Sequence, residues 1–196
     1  DKVGGRAWVR NANPTSKLQT ELGVYHLQYD LDYPAPVGLG TWPSRDELLE
    51  HFHNVSVEYG LMPHIQLNTA VIEVRHIVDQ QTLPFYSPER QHLSVLTQQI
   101  LETGKRDATQ QAAFSTVSFF PGGLVAPLRL EYKGEEAFQG QIGYGMFDEF
   151  DYTCVRGAAP AIIGFGAFAV ENVRTCLEHG ASKTWILCRR KNLAMP

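Results

Sequence analysis

The residues of this chain best suited to chemistry would perform it with their backbone. Ala159 to Ile163 is a small, apolar run of strand length that leads directly into Gly164-Phe165-Gly166-Ala167-Phe168-Ala169. In this G-x-G-x-x-A spacing the first glycine permits a tight turn and the second lets a diphosphate come close to the main chain. The small third residue lets the following helix pack tightly. The first amides of a helix have no intrahelical acceptor and stand at the positive end of its dipole, so the turn can hold a phosphate without a charged side chain.

The elements around the turn are those such a site needs. A helix is predicted from about Ala167 to His179, with Val170, Val173 and Leu177 forming an apolar stripe, and it closes at Gly180. A second strand follows at Thr184 to Cys188. Strand, glycine turn, helix and strand within about 30 residues carry more weight than the fingerprint alone. Where an acidic residue would bond the ribose 2′-hydroxyl of NAD, this chain has Arg189 and Arg190. A guanidinium bond to a 2′-phosphate, worth about 1.5 to 3 kcal/mol, favours NADPH. The competing interpretation is a solvated basic cluster at a strand end.

No other constellation competes with this one. His51 and His53 are two residues apart, which on a helix puts them on different faces, so no metal is expected. Cys154, Cys176 and Cys188 are an odd count without a C-x-x-C pair and read as reduced thiols. The aromatics Phe119, Phe120, Phe138 and Tyr144 could line a substrate cage, although clustered aromatics more often form core. The 196 residues are 43% hydrophobic and 19% charged with a net charge of -4, which describes a globular chain able to bury a core. That mild acidity gives no reason to expect nucleic acid. No apolar run reaches the ~18 residues of a membrane span; a cytoplasmic location is expected, with membrane association left open.

Upstream, Ser44 to Gly60 has a helix signature, with Ser44 as N-cap, Glu47 completing a capping box and Leu48, Phe52, Val55 and Tyr59 at helical spacing. Ile65 to Val74 reads as a strand. Ser87 to Gly104 is ambiguous, since it opens like a helix while His92 to Gln98 fits a strand equally well. Ala113 to Phe120 reads as a buried strand ended by the turn Pro121-Gly122-Gly123.

In chain order, further segments carry a resemblance. Asp1-Lys2-Val3-Gly4-Gly5-Arg6-Ala7-Trp8 resembles a D-x-x-G-G-x-W stretch with the tryptophan one position late. Leu18-Gln19-Thr20 is similar to an L-x-T segment, and Trp42-Pro43-Ser44-Arg45 to a P-S-R helix start. Ile65 to Val71 resembles an I-x-F-x-T-x-V strand, the strand ending at Pro121-Gly122 a V-x-A-T-G segment, and Gly134 to Gly140 a linking G-x-x-x-F-x-G. Together, in this order and ahead of the glycine turn, they resemble the flavin-containing monooxygenases and their Baeyer–Villiger relatives. Three positions depart from the family pattern. Tyr144 stands where a histidine is expected, Asp148 where an aromatic is expected, and Glu21 where some members have asparagine.

The resemblance implies an internal piece of a longer flavoprotein, α/β in class, with two Rossmann-like dinucleotide-binding units, both incomplete and mostly parallel in their sheets. Residues 1–151 would be a partial FAD-binding domain without its first glycine fingerprint, and residues 152–196 the start of an NADPH-binding domain. The implied cofactors are FAD and NADPH, and the implied reaction is oxygenation of a small organic substrate by O₂. Gly4, Gly5, Trp8, Gln19, Thr20, Val71 and Gly122 are the implied flavin-side positions. Gly164, Gly166, Ala167, Phe168, Ala169, Arg189 and Arg190 are those of the NADPH side. No acid–base residue is required, so none is assigned, and Gln19, Thr20 and Tyr144 are positions to test near the flavin ring. Two other readings are a non-catalytic nucleotide-binding scaffold and a flavin-linked reductase that does not oxygenate.

Overall fold

The computed structural model describes residues 2–20, 39–77, 90–123, 129–147 and 149–190. Glu21, Asp148 and the Ser87-Pro88-Glu89 start lie outside these residues. The chain divides into two compact units, one formed by Asp1–Lys2 with Gly60–Pro121 and the other by Val3–Tyr59 with Gly122–Pro196.

The first unit is a three-stranded antiparallel sheet of β1 (Thr69–His76), β2 (Leu93–Ile100) and β3 (Arg106–Phe114), in the order β1-β2-β3. This corrects the mostly parallel sheet expected before Asp151. The ambiguous segment around Leu93 resolves as the central strand, because both of its edges find partners. Val74 pairs with Val95 on one side and Val95 with Ala112 on the other. β1 starts four residues later than the sequence suggests, since a short 3₁₀ turn at Met62–His64 comes first. The strand expected at Ala113–Phe120 instead occupies Arg106–Phe114. Its polar run Arg106-Asp107-Ala108-Thr109-Gln110-Gln111 is exposed on both faces and so lacks the alternation that marks a half-buried strand. Phe119 and Phe120 are 77% and 91% exposed, so they are not core.

In the second unit α1 spans Arg45–Glu58. Its capping box forms as expected, with Ser44 N donating to Glu47 Oε2 at 2.7 Å and Glu47 N to Ser44 Oγ at 3.3 Å. The paired backbone and hydroxyl bonds from Ser44 hold the Glu47 carboxyl below its usual range. Leu48 is fully buried on this helix. β4 (Ala161–Ile163), α2 (Ala167–Glu178) and β5 (Trp185–Leu187) then form a β-α-β unit whose two strands pair in parallel, Ile162 opposite Ile186. A small core of Tyr152, Val155 and Cys176 packs beside it, with Phe150, Ile162 and Ala181 partly buried against it. The fold is thus mixed α/β, with one parallel β-α-β unit and one antiparallel sheet among the described residues.

One feature of α2 differs from its sequence pattern. Val170 and Leu177, of the expected apolar stripe, are exposed, while Ala169, Thr175 and Cys176 are buried. Helical periodicity finds the apolar stripe, but packing decides which side is covered, and here Thr15 meets Thr175 and Arg174 through polar groups while Tyr152 and Val155 pack on Cys176.

Candidate functional site

The glycine turn joins β4 to α2. Gly164 lies at φ +128°, in the region that favours glycine, and its amide donates to Leu187 O at 2.9 Å, extending the β4–β5 ladder. Ala169 is buried, and a Cβ placed on Gly164 would sit 3.7 Å from its methyl, which accounts for the small residue at the third position. Gly166 is the helix N-cap, in extended backbone, and a Cβ there would meet nothing within 4 Å. Protein packing therefore does not explain the second glycine. The first helical backbone bond runs from Val170 N to Gly166 O at 3.1 Å. Among the described residues, the amides of Phe165, Gly166, Ala167 and Phe168 have no backbone acceptor, so the turn can donate to an anion.

Arg189 and Arg190 follow β5 after Cys188 and are exposed. They stand at the end of the second strand of the β-α-β unit, where the sequence places them.

Of the flavin-side positions, the structure brings one to this turn. The Gln19 side chain donates to Ala167 O at 3.0 Å and to Glu171 Oε2 at 2.9 Å, so the Leu18-Gln19-Thr20 segment meets the first turn of α2. More bonds tie the preceding residues to the same helix. Arg174 Nη2 donates to Thr15 O at 2.6 Å, the Thr15 and Thr175 hydroxyls are 3.2 Å apart, and Lys17 reaches Glu178 at 3.3 Å. Burial, the largest single influence, raises the Glu178 carboxyl, but the hydrogen bonds and charges of Arg174 and Lys17 together hold it below its usual range. A groove of about 640 Å³ lies here, lined by Lys17, Leu18, Gln19, Trp42, Val170, Glu171 and Arg174.

The remaining positions sit elsewhere. Gly4, at φ +128°, packs against Leu49, where a Cβ would come within 2.4 Å of that side chain. Gly5 is exposed, and Trp8 is half-buried in a short turn at Ala7–Asn11. Thr20 is exposed. Val71 is exposed on β1 in the other compact unit, and Gly122 occupies a turn at φ +75°. Tyr144 is half-buried and stacks on Phe147 at 6.3 Å between ring centroids, while Phe138 is exposed. A second, smaller cavity of about 170 Å³ is lined by Asn13, Pro14, Thr15, Phe147, Phe150 and Tyr152. Cys176 is buried, which raises its thiol pKa and leaves it unreactive. Among the described residues no group of three His, Cys, Asp or Glu side chains could hold a metal, and no helix is long and apolar enough to cross a membrane.

Sequence reasoning missed Arg174 and Glu171 as parts of this site. Their partners lie up to 159 residues away in the chain, as for Arg174 and Thr15. A spacing argument within one helix carries no signal for such pairs.

No protein-family profile matches the chain, and no curated protein matches it. Solved structures do. Tmm from Pelagibacter sp. aligns with a TM-score of 0.63 at 18% identity, over 91% of this chain and 37% of its own. A variant flavin monooxygenase from Stenotrophomonas maltophilia aligns at 0.61 and 21% identity, over 96% and 48%. S-allyl-L-cysteine S-oxygenase from Allium sativum aligns at 0.56 and 17% identity, over 94% and 38%. The chain therefore has the fold of part of the flavin monooxygenases, and it spans less than half the length of these structures.

Proposed function

We propose that this chain is part of an FAD- and NADPH-dependent monooxygenase, with the Gly164–Ala169 turn receiving the NADPH diphosphate. The observation that carries this is the turn itself, whose amides at Phe165 to Phe168 have no backbone acceptor at the entry to and start of α2 within a parallel β-α-β unit. Support for the class comes from the shared fold, and a structure with the same fold, OTEMO, is known in complex with FAD and NADP. In this reading residues 1–151 serve the flavin and residues 152–196 begin the NADPH-binding fold.

The residues present fit NADPH. The turn would hold the diphosphate on bare amides, Ala169 would keep α2 close beneath it, and Arg189 and Arg190 would take the 2′-phosphate. When bound, the nicotinamide supplies a hydride and the flavin supplies oxygen activation. Gln19 orients the Leu18–Thr20 segment against the first turn of α2, joining the flavin-side and nucleotide-side elements. The exposed groove walls at Trp42 and Val170 offer apolar surface that would exclude water from a bound ring.

A second reading, an NADPH:flavin reductase that does not oxygenate, is favoured by Tyr144 at the family's histidine position. Calorimetric titration of the chain with NADP⁺ and NAD⁺ tests the nucleotide assignment. NADP⁺ should bind more tightly, and replacing both Arg189 and Arg190 by Ala should weaken NADP⁺ roughly tenfold or more while barely changing NAD⁺. Equal losses for both would refute the arginine roles. In the polypeptide carrying this sequence, NADPH oxidation with oxygenated product supports the monooxygenase, and oxidation without it selects the reductase.

A further inference from the structure

Asn172 lies one helical turn past Phe168 on α2, and its carboxamide makes three bonds. Its Nδ2 donates to Phe168 O at 2.8 Å and to Gly145 O at 3.1 Å, and its Oδ1 accepts from the Tyr152 hydroxyl. A single side chain thus joins the first turn of α2, the linking segment at Gly145 and the short helix at Tyr152–Val155. Gly145 is shaped to this contact, since a Cβ there would lie 2.3 Å from Asn172 Oδ1. Apart from Gln19 donating to Ala167 O and Gly164 N to Leu187 O, the backbone leading into α2 is lightly held. β4 has three residues and pairs with β5, and Phe165 is flanked by two glycines.

We propose that Asn172 is a positioning residue for the diphosphate site, fixing the first turn of α2 so that the amides from Phe165 to Phe168 converge on one anion. This rests on the nucleotide reading above. A hydrogen bond to the carbonyl of the second helical residue, Phe168, and another to a segment outside the helix together remove the rotation that would spread those amides. The bond from the Tyr152 phenol fixes which way the carboxamide faces, because only Oδ1 can accept. The role differs from that of Arg189 and Arg190. Those side chains would discriminate the 2′-phosphate, whereas Asn172 would act on the diphosphate that NADP⁺ and NAD⁺ share.

The test is titration of the full chain with NADP⁺ and with NAD⁺ for Asn172→Ala, Gly145→Ala, the double variant and Tyr152→Phe, at a temperature well below each variant's melting transition. Asn172→Ala and Gly145→Ala should each weaken both nucleotides by the same factor, roughly three- to tenfold. The double variant should be no weaker than either single one, because both break the same contact. Tyr152→Phe, which is nearly isosteric and removes one of the three bonds, should weaken both by a smaller common factor. If the folded variants melt earlier yet bind both nucleotides as the unmodified chain does, the role is purely structural and the inference falls. Loss confined to NADP⁺ would also overturn it. If the unmodified chain binds neither nucleotide, the reading of the turn fails first, and the positioning role with it.

Discussion

The two compact units hold together by different means. In the sheet β1-β2-β3 the cohesion is largely main-chain, since Val95 is the only buried apolar residue on its three strands and most of β3 is exposed. In the second unit, groups far apart in sequence converge on one helix, with the side chains of Thr15, Lys17, Gln19 and Tyr152 and the backbone carbonyl of Gly145 all bonded to α2. A ladder satisfies backbone groups wherever strands align, and it is indifferent to most side chains. A polar seam requires particular residues, and those residues are also placed to fix the geometry of a site.

The sharpest way to break this contrast is to truncate one buried apolar side chain in each unit. Leu48→Ala, at a fully buried position on α1, should cost about 2 to 5 kcal/mol. Val95→Ala removes two methyl groups from a residue 8% exposed and should cost about 1.5 kcal/mol or less. Denaturant melts give the totals, and hydrogen exchange of α1 and β2 amides assigns each loss to its unit. An equal cost at Val95 would mean that the sheet depends on a packed face as much as the second unit does.

The two fingerprint glycines sharpen the contrast within a single turn. Gly164→Ala forces a side chain into φ +128° and should cost about 1 to 3 kcal/mol as well as nucleotide affinity. Gly166→Ala enters an extended conformation with open space around it, so stability should change by less than about 0.5 kcal/mol while NADP⁺ binding weakens. Calorimetric melts and titrations read the two effects separately, and unchanged binding at Gly166 would remove the ligand explanation for that glycine. These positions also mark what is legible from residues alone. The capping box at Ser44 and Glu47, the turn at Gly164 and the limits of α2 are local demands on backbone dihedrals and orphan amides, and local demands leave a residue signature. The antiparallel register of β1-β2-β3 and the bonds of Gln19, Arg174 and Asn172 depend on partners distant in sequence. Neither leaves a periodicity, which is why β3 was expected too late and the covered face of α2 on the wrong side.

The smallest expected effect concerns the phenol at the centre of the seam. Burial is the main cause that pushes the Tyr152 pKa up to about 12 from an ordinary value of 10.0, with the nearby Cys176 thiol adding to it and the Asn13 side chain opposing it. Folding therefore favours the protonated phenol, which is the form that can donate to Asn172. Between pH 10 and 12 the unfolded chain gives up this proton before the folded one does, so it binds fewer protons and stability falls as pH rises through that window. Below pH 10 both states hold the proton and the contribution is complete. Other tyrosines titrate in the same range, so the measurement is a difference, the alkaline loss of stability in the unmodified chain minus that in Tyr152→Phe. The unmodified chain should lose more over this interval, whereas nucleotide affinity follows the folded-state phenol and should weaken only as pH approaches about 12, where the donor to Asn172 is lost. Parallel losses in the two proteins would place Tyr152 outside the seam's energetics and leave the carboxamide held by Gly145 and Phe168 alone.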